Sequence, residues 1–255
     1  MALITLNFYS EALGMQTQTM VILPQKAAAG EIGICNKVKD DAYKCLYLLH
    51  GLSDDHTIWM RRTSIERYAA EYGICVVMPA AGRSFYTDMA HGQKYYTYIA
   101  QELPKRIQEF FRVSDKREDT FIAGLSMGGY GALKIALREH DKFCACGALS
   151  PVCDMDTLHA LGEPEMMIDL YGQLTTPDLD SLQFLADREK DSPVKPRIYM
   201  ATGTQDFLYD NAQPLRKQLT DNGYDFTYVE ADAGHNWEYW DEQIQKVLKW
   251  MFHKG

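Results

Sequence analysis

The sequence has no apolar run approaching the roughly 20 residues that a membrane-crossing helix needs. Its longest runs are short, such as the stretch from Ile74 to Met78. No membrane partner is therefore expected. The opening residues, MALITLNFYSEALG, lack a basic start and a long apolar stretch and reach Glu11 early, so they do not read as a secretory leader. Basic charge is also scarce: 26 Lys+Arg stand against 35 Asp+Glu, a net charge of −9. A polyanion or an anionic membrane needs a basic face, so nucleic acid is not an expected partner either. None of the six cysteines forms a CxxC pair, and Cys144, Cys146 and Cys153 have no histidine at zinc-finger spacing. No metal and no cofactor are expected. An even cysteine count without a leader reads as reduced thiols and a cytoplasmic location. Cys45 and Cys75 fall inside apolar runs, where cysteine acts as a small hydrophobe. Repeats, low-complexity tracts and Gly/Ser linkers are lacking as well. That leaves one domain over residues 1–255 as the expectation.

What is present suits a globular α/β protein. The 255 residues are 46% apolar and 24% charged, enough to bury a core without disulfide or metal staples. The first 25 residues alternate apolar and polar around Gly14, the pattern of an antiparallel hairpin. Continuous apolar runs follow at Tyr43–Leu49, Ile74–Pro79, Thr120–Ala123, Phe143–Leu149, Arg197–Ala201 and Phe226–Glu230. Such runs suit strands buried on both faces. Helical patterns fall between them at Ser64–Tyr72, Tyr95–Phe111 (with Pro104 inside), Tyr130–Glu139, Asn211–Asn222 and Trp237–Phe252. The alternation predicts a mostly parallel central sheet with helices on both faces, opened by the antiparallel N-terminal hairpin. In such sheets function gathers at the carboxyl ends of the strands. Residues 154–193 break the alternation and are too long for a plain connection. They read as a small cap or pocket wall, or as surface helices.

The chemistry centres on Gly124-Leu125-Ser126-Met127-Gly128, a G-x-S-x-G pentapeptide. A β-like run precedes it and a helical run follows, the strand–turn–helix of a nucleophile elbow. The serine must sit on a sharp, strained turn, and side chains at positions 124 and 128 would collide across it. The helix that follows points its free N–H groups at Ser126, where negative charge would develop. A serine hydroxyl is a weak nucleophile and needs a base, itself oriented by an acid. In this arrangement the acid and then the histidine follow the serine in the chain. Of seven histidines, His140, His159, His235 and His253 lie beyond Ser126. His235, in the Ala233–Trp237 loop between the last strand and the last helix, is the best-placed base; His253 is near the chain end. Asp206 ends the strand before and is the preferred acid. Asp210 is the runner-up, although it suits a helix N-cap, and Asp232 is too close to His235 in the chain. Two backbone N–H groups should hold the oxyanion: Met127, after the nucleophile, and Leu52, after the His50–Gly51 strand end. His50 reads as a brace for that loop. Trp59 and Trp237 are candidate substrate contacts, and Tyr86 and Phe207 are further large residues at loop positions; each also suits ordinary packing.

The segments LLHGLSDDHTIW, GLSMGGYGALK, GTQDFLYD and AGHNWEYW, in that order, resemble the bacterial tributyrin-esterase type of the esterase D group in the α/β-hydrolase superfamily. The resemblance runs from the N-terminal hairpin to about Trp240. It implies an α/β-hydrolase fold and a metal-free serine carboxylesterase for short acyl esters, including acetylated-sugar or feruloyl types. Its nucleophile, acid and base match Ser126, Asp206 and His235, and its oxyanion donors match Leu52 and Met127. The related S-formylglutathione hydrolases usually carry histidine where Leu125 and Tyr130 stand, which weakens a thioesterase reading. Acyl transfer on the same triad is a second reading, and a non-catalytic binding protein on the same fold a third. The expected partner is a small-molecule ester; a homo-oligomer is compatible with the acidic composition.

Overall fold

The alternation of the first residues becomes a hairpin. Strands β1 (Ala2–Ser10) and β2 (Met15–Leu23) pair antiparallel with Leu6 opposite Thr19, and Gly14 turns the chain at φ 65°. The computed structural model describes residues 1–25, 41–160 and 162–252; Cys35 and His253 lie outside them. The continuous apolar runs become β3 (Cys45–Leu49), β4 (Cys75–Pro79), β5 (Thr120–Leu125), β6 (Ala145–Leu149), β7 (Arg197–Gly203) and β8 (Phe226–Ala231). They form one eight-stranded sheet in the order β1-β2-β4-β3-β5-β6-β7-β8. From β4 to β8 every pairing is parallel, while β2 joins β4 antiparallel.

Helices cover both faces, and the strands show why their apolar runs are unbroken. Along β3, Cys45, Tyr47 and Leu49 enter one core while Leu46 and Leu48 enter the other. One face carries α1 (Ile58–Arg62), α2 (Ile65–Tyr72) and the C-terminal α10 (Trp237–Phe252). The other carries α3 (Tyr95–Thr97), a π-helical turn (Tyr98–Glu102), α4 (Leu103–Phe110), α5 (Met127–Arg138) and α9 (Tyr209–Asp221). The expected Tyr95–Phe111 helix is thus continuous but not uniform. Pro104 has no N–H to donate, and the wider turn just before it shifts the hydrogen-bond register there.

Residues 154–193 form α6 (Thr157–Ala160), α7 (Pro164–Tyr171) and α8 (Leu182–Arg188). They lie against α5 rather than apart from it. Leu182, Leu185 and Ala186 are fully buried, and the Tyr130 hydroxyl of α5 donates to the Asp180 carbonyl at 2.7 Å. Every residue of α5 from Met127 to Leu137 is therefore buried. Burying a Leu or Ile side chain stabilises by about 1.5–3 kcal/mol, so this helix is held rigidly beneath the sheet edge that it serves.

Candidate active site

All six parallel strands point the same way, and their carboxyl ends share one edge of the sheet. The antiparallel β2 brings the hairpin turn to that edge too. At its centre, β5 passes into α5 through Ser126, which adopts φ 53° and ψ −117°. This is the strained conformation that a serine on a strand–helix elbow needs. The flanking glycines allow it. A Cβ at Gly124 would lie 2.3 Å from the Gly128 carbonyl oxygen, and one at Gly128 would lie 2.6 Å from the carbonyls of Leu49 and His50.

The β7 and β8 loops deliver the other two groups. They are knitted together by main-chain bonds: Thr204 N–H donates to Ala231 O at 2.8 Å and Gln205 N–H to Ala233 O at 3.0 Å. His235 Nε2 lies 3.1 Å from Ser126 Oγ, and its Nδ1 lies 2.9 Å and 3.1 Å from the two Asp206 oxygens. The serine hydroxyl, imidazole and carboxylate thus form one relay. The Asp206 side chain is fully buried. Burial pushes its carboxyl up, but the His235 ring, the Leu208 N–H and the Ser150 hydroxyl outweigh that and hold it below the usual carboxylate range. Asp210 is exposed in the first turn of α9 and Asp232 is exposed, so neither takes this place. The His235 ring is clasped between Phe207, 4.6 Å away and largely exposed, and Trp240, edge-on at 4.8 Å. The Asn236 side chain caps α10 by accepting from Tyr239 N–H at 3.0 Å, which fixes the loop on its far side.

The Leu52 loop meets the first turn of α5 at the His50 carbonyl. His50 is buried, and its two ring nitrogens have distinct partners. Nε2 accepts from Ala81 N–H at 3.0 Å, so Nδ1 carries the proton and donates to Gly51 O at 2.8 Å. Burial lowers its pKa, which keeps the ring neutral. The brace expected at His50 is present in this form. The Tyr86 hydroxyl adds a bond to His50 O at 2.9 Å. Tyr86 and Phe85 both have positive φ, 53° and 47°, and both are buried.

The large aromatics sort differently from the sequence expectation. Trp59, expected to contact substrate, is 1% exposed and belongs to the core; its indole N–H donates to Leu49 O at 3.0 Å. A wide apolar ring whose single donor is satisfied by strand backbone packs under the site rather than lining it. Trp237 is half-buried and stacks edge-on between Trp59 and Trp240. Tyr86 is likewise core, and Phe207 alone of these four is exposed. Sequence reasoning passed over Ser150 and Trp240. The only local signal for Ser150 is its place at a strand end, between Leu149 and Pro151.

Comparison with known proteins identifies the family. A family model described as "Putative esterase" matches residues 10–251. An acetyl esterase of Caldicellulosiruptor saccharolyticus is 31% identical, over 98% of each chain. Among solved structures, the fluorophosphonate-binding serine hydrolase FphF of Staphylococcus aureus is 35% identical over 99% of each chain, with a TM-score of 0.89. The S-formylglutathione hydrolase FrmB of the same organism is 34% identical over 99% of each chain, with a TM-score of 0.85. The chain therefore belongs to this esterase family, and it is a carboxylic ester hydrolase of the α/β-hydrolase superfamily.

Proposed function

We propose that this protein is a serine carboxylesterase for small, short-chain acyl esters, working through an acyl-enzyme on Ser126. The observation that carries the reading is the unbroken hydrogen-bonded relay from Ser126 Oγ through His235 to the buried Asp206. Ser126 attacks the acyl carbon while His235 Nε2 takes its proton. Asp206 keeps its charge and stabilises the imidazolium. The Leu52 and Met127 N–H groups receive the oxyanion, a role favoured by the start of α5 at Met127 and by the packing of the Leu52 loop on it. His235 then protonates the leaving alcohol, and water repeats the sequence on the acyl group. The acetyl esterase relative supports a short acyl group. Residues 154–193, packed on α5, act in this reading as a wall rather than a moving cap. A cytosolic setting with Cys45, Cys75, Cys144, Cys146 and Cys153 as thiols belongs to the same reading, as does self-association, which light scattering reads directly.

A thioesterase reading is favoured by one observation, the S-formylglutathione hydrolase relative. The positions that set that branch apart, Leu125 and Tyr130, are both buried beneath the site, and Tyr130 bonds the Asp180 carbonyl. They bear on packing under the elbow more than on direct substrate contact. Hydrolysis of p-nitrophenyl acetate, butyrate and octanoate, beside S-formylglutathione, separates the two. The esterase reading expects turnover that falls with chain length and is lost by at least about 10³-fold in Ser126→Ala. Unchanged turnover in that variant overturns it. Preference for the thioester by kcat/KM moves the assignment to the second reading.

A further inference from the structure

The turn that carries Asp206 also carries a large apolar side chain left open to solvent. Three hydrogen bonds fix this turn. Asp206 N–H donates to Gly203 O at 3.1 Å, Tyr209 N–H to Asp206 O at 2.9 Å and Leu208 N–H to Asp206 Oδ1 at 2.9 Å. Leu208 is buried and anchors the turn in the core. Its neighbour Phe207 is 62% exposed, the most open of the large apolar side chains among the described residues. A single apolar residue at a surface is ordinary. Phe207 differs in what it rests on: its ring packs on the His235 imidazole, with centroids 4.6 Å apart and planes inclined at 48°. The other aromatic neighbour of that imidazole, Trp240, is buried. The base therefore has one aromatic contact that belongs to the core and one that is open to solvent.

We propose that Phe207 is a specificity-determining residue that contacts the alcohol half of the ester and selects alcohols with an aromatic ring close to the ester oxygen. The inference rests on the serine-esterase reading above and adds the class of alcohol to it. It follows from where the proton must go. His235 Nε2, 3.1 Å from Ser126 Oγ, takes the serine proton as Oγ bonds the acyl carbon. When the bond from that carbon to the alcohol oxygen breaks, the electron pair stays on the oxygen and the same proton joins it. The leaving oxygen must then come within hydrogen-bond reach of Nε2. The first groups of the alcohol thus lie beside the imidazole, where the Phe207 ring already stands. The acyl group is held by Ser126 and the oxyanion donors, so its tail has no such tie to His235. A flat apolar group laid on Phe207 takes apolar surface of both out of water, and two aromatic rings gain further from offset or edge-on contact. A polyhydroxylated alcohol gains less there. Phe207 offers its hydroxyls no partner, and both His235 nitrogens are engaged, Nδ1 by Asp206 and Nε2 by Ser126. The Phe207 ring also faces the imidazolium that forms in each half-reaction. That contact serves every ester alike, whereas contact with the alcohol depends on which alcohol is present, so the two roles are separable.

The test measures kcat/KM for benzyl acetate and ethyl acetate, both esters of primary alcohols, by titrating the acid released. It compares wild type, Phe207→Ala and Phe207→Tyr, with active sites titrated by a fluorophosphonate. Wild type is expected to prefer benzyl acetate. In Phe207→Ala the benzyl-to-ethyl ratio is expected to fall about 10-fold, the size of effect that a lost apolar contact gives. Phe207→Tyr, which keeps the ring, should hold the ratio within about 2-fold of wild type. The ratio of p-nitrophenyl butyrate to p-nitrophenyl acetate, where only the acyl group changes, should stay within about 2-fold in Phe207→Ala. Equal losses on the benzyl and ethyl esters would leave the ring as a support for His235 alone and overturn the inference. So would a fall in the acyl ratio as large as that in the alcohol ratio. A larger loss on a monoacetylated methyl glucoside than on benzyl acetate would assign the ring to a sugar and overturn the aromatic class. If Phe207→Ala does not fold by circular dichroism, Phe207→Leu is read by the same criteria. A wild type without Ser126-dependent turnover overturns the esterase reading and this inference together; Ser126-dependent turnover with unaltered ratios overturns the inference alone.

Discussion

Asp206 joins stability to chemistry through one buried charge. Its folded-state pKa lies below the ordinary carboxylate value because hydrogen-bond donors outweigh its burial. As pH falls, the unfolded chain takes up the proton first. The contribution of Asp206 to stability is therefore complete above the ordinary carboxylate range and disappears as pH falls through the folded-state value. Asp206→Asn keeps the shape of the side chain but favours the wrong His235 tautomer. Its kcat on p-nitrophenyl acetate near neutral pH is expected to fall by about 10³–10⁴-fold with a native circular-dichroism spectrum. A loss under about 10-fold would remove Asp206 from the relay. The residue was legible in the sequence because it follows a strand run and precedes His235. Ser150 was not, because a serine before a proline carries no signal until the sheet sets it beside Asp206 and Trp240.

At the level of elements, the elbow is a contact between two backbones. Gly124 is the penultimate residue of β5, opposite Leu49, and Gly128 lies in the first turn of α5. A Cβ at Gly124 would overlap the Gly128 carbonyl, an atom that no rotamer change can move. Gly124→Ala is expected to cost about 3 kcal/mol or more by urea unfolding, whereas Gly14→Ala, with nothing near its Cβ and only a left-handed turn to strain, should cost about 1 kcal/mol. Equal costs would show that the elbow relaxes around a methyl group. The pentapeptide predicted this elbow, but the sequence placed the helix start at Tyr130. The structure starts α5 at Met127, three residues earlier. The glycines hide that first turn from a propensity reading, since glycine disfavours a helix that only packing enforces here.

Across the whole molecule, Lys134 shows how a distant segment changes the meaning of a residue. It lies on α5 with no exposed surface. Its ammonium meets Asp180 at 3.0 Å, the Thr87 hydroxyl at 2.7 Å and the Phe85 carbonyl at 3.2 Å. It thereby ties α5 to the strained Phe85–Tyr86 turn, whose Tyr86 hydroxyl supports the His50 loop. Burial lowers its pKa from 10.5 to about 8, against the pull of Asp180. Between those values the unfolded chain holds a proton that the folded chain has released, so this group adds stability as pH rises, by up to about 1.4 kcal/mol per pH unit. Urea unfolding of wild type and Lys134→Met at about pH 7.5, 8.5 and 9.5 should show a gap in stability that widens with pH. A constant gap would mean that the ammonium stays charged throughout.

Period and punctuation in the sequence determined the hairpin, the buried strands, the helices between them and the choice of Ser126, Asp206 and His235 as candidates, which the structure brings into one hydrogen-bonded relay. Each of those depends on local order: a run, a turn, a loop between two elements. Contacts between segments far apart in the chain could only be decided by folding. Trp59 looks like a loop aromatic until the sheet gives its indole the Leu49 carbonyl. Lys134 looks like the polar face of an amphipathic helix until Asp180, Thr87 and Phe85 enclose its ammonium. Ser150 and Trp240, 90 residues apart, meet only because β6 and α10 converge on the β7 loop. Backbone pattern is written in neighbours a few residues away, whereas burial and hydrogen-bond partners follow from which surfaces the sheet brings together.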